Sequence, residues 1–136
     1  VLSDVLTITE RRGRMEGLRV VFIGDGNNMM NSWMNAAAHF DFDLVFAGPP
    51  GYEPDAAIRA KAEGRGGRIT MTNSVFDAAR GADVIYTDTW VSMGQEAEAD
   101  RRRESFRPYQ VNGEVMSFAH PDALVMHCLP AHRGEE

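Results

Sequence analysis

Only one cysteine, Cys128, is present, so no internal disulfide can form and the fold must rest on its hydrophobic core. No apolar run approaches the roughly 20 residues that a membrane-spanning helix needs, and no signal-peptide pattern opens the chain. Together these absences point to a reducing, cytoplasmic setting without a membrane. Positive charge is scarce as well: 14 Lys and Arg against 20 Asp and Glu leave a formal net charge of −6, which argues against a nucleic-acid groove. Internal repeats and low-complexity stretches are also missing. What is present is ordinary for a globular chain, 136 residues with 43% hydrophobic, enough for one domain with its own core. Residue 1 is Val rather than Met, and helical periodicity is already running there. Few residues follow the last strand, where a doubly wound domain adds a covering helix. The expectation is a single domain over 1–136 cut from a longer protein.

Apolar residues at 1, 2, 5, 6 and 8 predict a helix over Val1–Arg12, closed by Gly13 and Gly17. Leu18–Ile23 is nearly all apolar, as a central parallel strand buried on both faces would be. Gly24-Asp25-Gly26 makes a tight turn, and Asn27 or Asn28 caps the next helix, whose buried face is Met30, Trp33, Met34 and Ala37. Further strands are predicted at Leu44–Ala47, Arg68–Met71, Ala82–Thr87 and Leu124–His127. Helices are predicted from Pro54 to Glu63, over Val75–Arg80, over Gln95–Phe106, and over Gly113–Ala119 with Asn112 as cap. Gln95–Phe106 has its acids first and Arg101, Arg102 and Arg103 later, which complements the helix dipole and reads as a solvated face. Strands alternating with helices predict an α/β fold: a doubly wound, parallel five-stranded sheet with helices on both faces, Rossmann-like, in the order 3-2-1-4-5. The topological switch then lies between strands one and four and sets the loops after Ile23 and Thr87 side by side.

Three strand ends carry polar loops. The first, Gly24-Asp25-Gly26-Asn27-Asn28, begins like a dinucleotide fingerprint, but Met29 stands where the third glycine belongs. The second strand ends Ala47-Gly48-Pro49, with no acid to hold a ribose, so no nicotinamide cofactor is expected. Two consecutive Asn exceed what one cap needs, which leaves one for a ligand. In the second loop, Asp88 is either a turn residue or the partner of a ligand ammonium. Trp90 is expected in the core, and Ser92-Met93-Gly94 offers a hydroxyl and flexible backbone. The third loop is His127-Cys128-Leu129-Pro130. Neighbours on a strand face opposite ways, so adjacency does not pair His127 with Cys128. Cys128 then reads as a ligand contact, a buried structural thiol, or a nucleophile. One Cys with His127 and His132 but no second cluster is a poor zinc pattern, so no metal is expected.

Gly-Asp-Gly-Asn-Asn-Met at 24–29, Asp-Thr-Trp-Val-Ser-Met-Gly at 88–94 and His-Cys-Leu-Pro-Ala-His-Arg-Gly at 127–134 resemble, in order and spacing, the signatures of the ornithine carbamoyltransferases. Thr7-Ile8 and Glu10 are similar to the helix entering that family's second domain, and the Ser-Met-Gly loop is the feature that separates ornithine from aspartate carbamoyltransferases. The resemblance covers essentially the whole chain and corresponds to the ornithine-binding half of the subunit. It implies that Asn28 holds the carboxylate side of L-ornithine, that Asp88 holds the α-amino group, and that Ser92 and Met93 lie on a closing loop. It also implies that Cys128, the candidate catalytic residue, and Leu129 line the junction between ornithine and carbamoyl phosphate. Further implications are a homotrimer or multiple of trimers, a place in arginine metabolism, and no cofactor. The family's Ser-x-Arg-Thr-Arg and His-Pro-x-Gln motifs are absent here. The alternatives are a non-catalytic amino-acid-binding or regulatory module of the same fold, and a fragment of a Rossmann-type oxidoreductase.

Overall fold

A computed structural model describes residues 1–136. Helix α1 (Leu2–Arg12) ends on Gly13, whose φ of 78° permits its N–H to reach Thr9 O at 2.7 Å. Then follow β1 (Arg19–Ile23), α2 (Asn28–Ala37), β2 (Asp43–Ala47), α3 (Ala56–Glu63), β3 (Arg68–Thr72), α4 (Val75–Ala79), β4 (Val84–Thr87), α5 (Ala99–Phe106), α6 (Gly113–Phe118) and β5 (Leu124–His127). All strand pairs are parallel, in the order β3-β2-β1-β4-β5, as expected.

Two local expectations are corrected. Helix α3 starts at Ala56, after Pro54, because the Asp55 carboxylate accepts from Ala57 N at 2.8 Å and Ile58 N at 2.9 Å and so fixes the cap. The polar helix begins as one 3-10 turn at Glu96–Glu98 without a side-chain cap, and becomes α-helical only at Ala99.

The period-2 alternation of the strands divides the core into two layers. On one face Phe46, Phe22 and Tyr86 stand in register on β2, β1 and β4. Their rings stack with centroids 6.4 Å and 5.6 Å apart. Trp33 of α2 meets Tyr86 edge-on at 5.2 Å and Phe42 at 5.9 Å. Such pairs contribute about 0.5–1.5 kcal/mol each beyond the area they bury. Helix α1 closes this layer with Val5 and Ile8. The opposite face places Val21, Ile23, Val45 and Ile85 under α4 and α6, through Val75, Ala78, Ala79 and Val115. Strand β1 is buried on both faces, and β5, at the sheet edge, is only partly covered.

The sheet's order determines where the loops meet. Because β1 and β4 are neighbours while α2, after β1, packs on one face and α6, on the way from β4 to β5, packs on the other, the loops after Ile23 and Thr87 share the switch point. Thr87 Oγ1 donates to Ile23 O at 2.9 Å there. The β2 loop joins them by a close backbone approach: Gly26 N donates to Tyr52 O at 2.8 Å, and a Cβ on Gly26 would sit 2.2 Å from Pro54 N.

Candidate functional site

The rim loop after β1 is organised by Asn27. Its Oδ1 caps α2, accepting from Met29 N at 3.0 Å and Met30 N at 3.3 Å, while its Nδ2 donates to Asp88 Oδ2 at 2.7 Å. Asn28, the next residue, is exposed and free of the cap. The pair of Asn therefore divides its work: one builds the turn and holds Asp88, the other faces a cavity. That cavity, of about 520 Å³, lies between the loops after β1, β2 and β4, and its polar lining includes Asp25, Asn28, Glu53, Asp88, Ser92 and Arg102.

Asp88 is only 9% exposed. Its Oδ1 accepts from Thr89 N at 2.7 Å and its Oδ2 from Asn27 Nδ2. The Cys128 thiol bonds to the same carboxylate, and Thr89 Oγ1 makes a long approach of 3.5 Å to Oδ1, so of the roughly four acceptor positions only that weakly used one is open to an ammonium. The turn reading and the ligand reading are thus compatible, since the turn bonds are what aim the carboxylate. Trp90 is buried, as expected of a core ring. Beyond it Ser92 N donates to Gln95 Oε1 at 3.0 Å, and Gly94 has φ of 88°, a left-handed conformation open to glycine at little cost. Met93, between them, is 95% exposed with nothing to pack on.

A second, smaller cavity of about 290 Å³ adjoins the first along Met29, Asp88, Ser92 and Met93, and carries Cys128 and Leu129 on its far wall. Here the reading of the third loop is corrected. Strand β5 ends at His127, so the alternation rule no longer governs Cys128. One ligand atom each from Asp88, His127 and Cys128 lies within 4.8 Å of the others. This is the cluster the sequence did not disclose, and its third member is Asp88 rather than His132. All three side chains are already engaged. His127 Nδ1 accepts from Leu129 N at 2.8 Å, which leaves Nε2 to donate to Glu136 Oε2 at 2.9 Å. The Cys128 thiol, pushed up to about 12 by burial and then by its hydrogen bond to Asp88, keeps its proton at neutral pH. A metal here would have to displace a hydrogen bond of His127 and the thiol proton. Leu129 is left-handed at φ 59°, rare for a branched side chain. Behind the cluster, burial and the Asp4 carboxylate, which accepts from Tyr86 Oη at 3.3 Å, hold the Tyr86 phenol above its ordinary range.

Arg102 overturns the solvated-face reading of α5. It is 4% exposed. Its Nη2 is paired with Asp25 Oδ2 and its Nε donates to Trp90 O at 2.7 Å, while the guanidinium lies 5.0 Å from the Tyr52 ring centre and 5.3 Å from that of Phe106. Burial pushes the Asp25 carboxyl up, and Arg102 pulls it back. Only the inward period of a single Arg among three could have signalled this.

The family model described as "Aspartate/ornithine carbamoyltransferase, Asp/Orn binding domain" matches residues 16–136. The chain belongs to the aspartate/ornithine carbamoyltransferase family. A relative in Syntrophus aciditrophicus, named ornithine carbamoyltransferase, is 52% identical over all of this chain and 45% of its own length. One in Pyrococcus furiosus, named as an anabolic ornithine carbamoyltransferase, is 50% identical over 99% of this chain and 44% of its own. The solved structure of an ornithine carbamoyltransferase from Pyrococcus furiosus superposes with a TM-score of 0.91 at 48% identity, covering 98% of this chain and 44% of that one. An anabolic enzyme from Campylobacter jejuni superposes with a TM-score of 0.92 at 39% identity, covering 98% of this chain and 46% of that one. The chain thus spans a little under half the length of these carbamoyltransferases. No helix in it is long and apolar enough to cross a membrane.

Proposed function

We propose that this chain is the ornithine-binding half of an ornithine carbamoyltransferase, which transfers the carbamoyl group of carbamoyl phosphate to the δ-amine of L-ornithine to give L-citrulline and phosphate. The observation that carries the choice of ornithine over aspartate is the charge of the larger cavity. Asp25, Glu53 and Asp88 line it, and its one guanidinium, Arg102, is already paired with Asp25. A second substrate carboxylate would find no free cation there, whereas an α-ammonium finds Asp88. The names of the relatives support the same substrate.

In this reading Asp88 holds the α-ammonium, Asn28 faces the carboxylate side, and Ser92 and Met93 swing in from their exposed position to exclude water. The δ-amine, bound uncharged, points across the smaller cavity past Cys128 and Leu129 to the carbamoyl carbon. It attacks there, the bond from the carbamoyl carbon to the phosphate oxygen breaks, and phosphate leaves with the bonding electrons and takes up the proton that the amine loses. Cys128 acts as a neutral thiol that helps fix Asp88 and shapes the junction; a protonated sulfur is a poor nucleophile, and an activated carbamoyl donor needs no acyl-enzyme. The chain's contribution is orientation, which in favourable cases is worth about 7–11 kcal/mol of barrier. Cationic donors for the phosphate and developing oxyanion come from the remainder of the full-length protein. A cytoplasmic homotrimer, or multiple of trimers, working in arginine metabolism belongs to the same reading.

The test is direct. Full-length protein should form citrulline from ornithine and carbamoyl phosphate, and the 136-residue chain alone should not exceed the uncatalysed rate. Absence of citrulline from the full-length protein, or turnover by the isolated chain, sinks the reading.

A further inference from the structure

The chain has 8 methionines. Met15, Met30 and Met34 are sealed in the core, and all the others but one are partly covered. The exception is Met93, 95% exposed. The local backbone puts it there. Gln95 N donates to Ser92 O at 3.1 Å, closing a turn with Met93 and Gly94 at its corners, and Gly94 supplies the positive φ of 88°. Ser92 N returns a bond to Gln95 Oε1 at 3.0 Å, and Gly94 N donates to Glu96 Oε1 at 3.2 Å. The turn is held by its backbone while the Met93 side chain stands in solvent beside the two cavities it borders. Cys128 is the opposite case. Its sulfur is half-buried on the wall of the smaller cavity, and its thiol keeps its proton at neutral pH. Oxidants attack the thiolate and the accessible thioether, so the reactive sulfur of this chain is on Met93 rather than on its cysteine.

We propose that Met93 is a site of reversible oxidation, at which a hydroperoxide forms the sulfoxide and the sulfoxide opposes closure of the 91–95 segment over ornithine. The inference rests on the proposed carbamoyltransferase reading and adds a modification that switches the same site. In the step, a lone pair of Met93 Sδ attacks the terminal oxygen of the hydroperoxide. The O–O bond breaks as the S–O bond forms, and the proton of the transferred oxygen passes to the leaving one, which departs as water or an alcohol. Sulfur loses two electrons and the peroxide gains them. With the segment open, the sulfoxide sits in water and leaves the fold undisturbed. Closure carries the side chain into a site from which water is excluded. The thioether makes that move as an apolar group, whereas the sulfoxide carries a strong acceptor whose hydration must be stripped away. Reduction by a dithiol-dependent methionine sulfoxide reductase removes the oxygen as water and restores the thioether.

The experiment treats the full-length protein with hydrogen peroxide at pH 7 and quenches samples with catalase. Peptide mapping by mass spectrometry should show Met93 gaining one oxygen before any other Met of this chain and before Cys128. A bisubstrate analogue, by closing the segment, should slow that gain. Once Met93 is fully converted, KM for ornithine should rise about tenfold or more, the effect of burying an acceptor without a donor. KM for carbamoyl phosphate should stay within twofold. Methionine sulfoxide reductase with dithiothreitol should return the ornithine value to its starting point. Met93→Leu sets its own baseline, which peroxide should leave unmoved, and Met93→Gln, polar from the start, should bind ornithine weakly with no peroxide added. Earlier oxidation of another residue of this chain overturns the proposal. So does an equal fractional loss of turnover in Met93→Leu, or full conversion of Met93 with ornithine KM unchanged. Failure of the untreated protein to make citrulline sinks the carbamoyltransferase reading instead, and the order of oxygen gain then decides whether Met93 is the oxidation site.

Discussion

Replacing Asp88 with Asn separates charge from shape at the centre of the site. In the folded protein both Asp88 oxygens accept hydrogen bonds of 2.7 Å, one from Asn27 Nδ2 and one from Thr89 N. An amide has one acceptor oxygen and one NH2, so the new NH2 must face one of those two donors. Asn27 cannot relieve the clash by turning over, because its Oδ1 is committed to Met29 N and Met30 N. The unmade hydrogen bond costs about 1–3 kcal/mol of stability, which for a domain of this size lowers Tm by about 5–10 °C. The larger effect falls on the substrate. A charge-assisted bond to the α-ammonium contributes about 1.5–3 kcal/mol, and an ammonium left unpaired in a closed cavity costs about 3–5 kcal/mol. At 1.4 kcal/mol for each factor of ten, kcat/KM for ornithine should fall about a hundredfold or more. The assay is citrulline formation by the full-length protein at saturating carbamoyl phosphate, with a thermal melt to confirm that the variant is folded. KM for carbamoyl phosphate should barely move. If the folded variant keeps kcat/KM for ornithine within threefold, Asp88 is only a turn residue and the assignment is wrong.

Three other predictions follow from the same geometry. Cys128 should react slowly with iodoacetamide at pH 8, its rate climbing only well above pH 9; an apparent pKa near the ordinary thiol value would refute the buried, Asp88-bonded state. Because the folded thiol holds its proton more tightly than the unfolded one, its stabilising effect is complete below the ordinary pKa of 9.0 and is lost as pH rises towards about 12. Over that range Tm should fall more steeply for the wild type than for Cys128→Ala. Gly26→Ala should destabilise by about 2–3 kcal/mol, since its Cβ would lie 2.2–2.5 Å from the backbone of residues 52–54; a melt within 2 °C of wild type would contradict that packing. Finally, a bisubstrate analogue should protect the amides of residues 91–95 from exchange in the full-length protein, and equal protection with and without it would count against closure.

The architecture was legible because it depends on periodicity. Near-continuous apolar runs mark buried parallel strands, and a 3.6-residue pattern such as Met30, Trp33, Met34 and Ala37 marks the helix laid across them. Alternation of the two leaves few handed topologies, and the order 3-2-1-4-5 follows, with the ligand rim at its switch point. Asp88, the Asn27-Asn28 pair, Ser92 and Cys128 stood out as polar or thiol residues in the loops that end these strands, while Met93 and the part proposed for each residue came from the resemblance to the ornithine carbamoyltransferases. Their partners did not stand out. That Asn27 rather than Asn28 holds the cap and Asp88 depends on how two loops 61 residues apart meet. Cys128 joins His127 and Asp88 because β5 stops one residue earlier, and strand ends are set by pairing with β4 rather than by local composition. Arg102 is the plainest case. Three consecutive Arg on a polar helix look alike to any local rule, and only the fold brings a carboxylate, a carbonyl and two aromatic rings to one of them. Burial of a charge becomes tolerable only when every partner arrives at once, and those partners are supplied by distant loops.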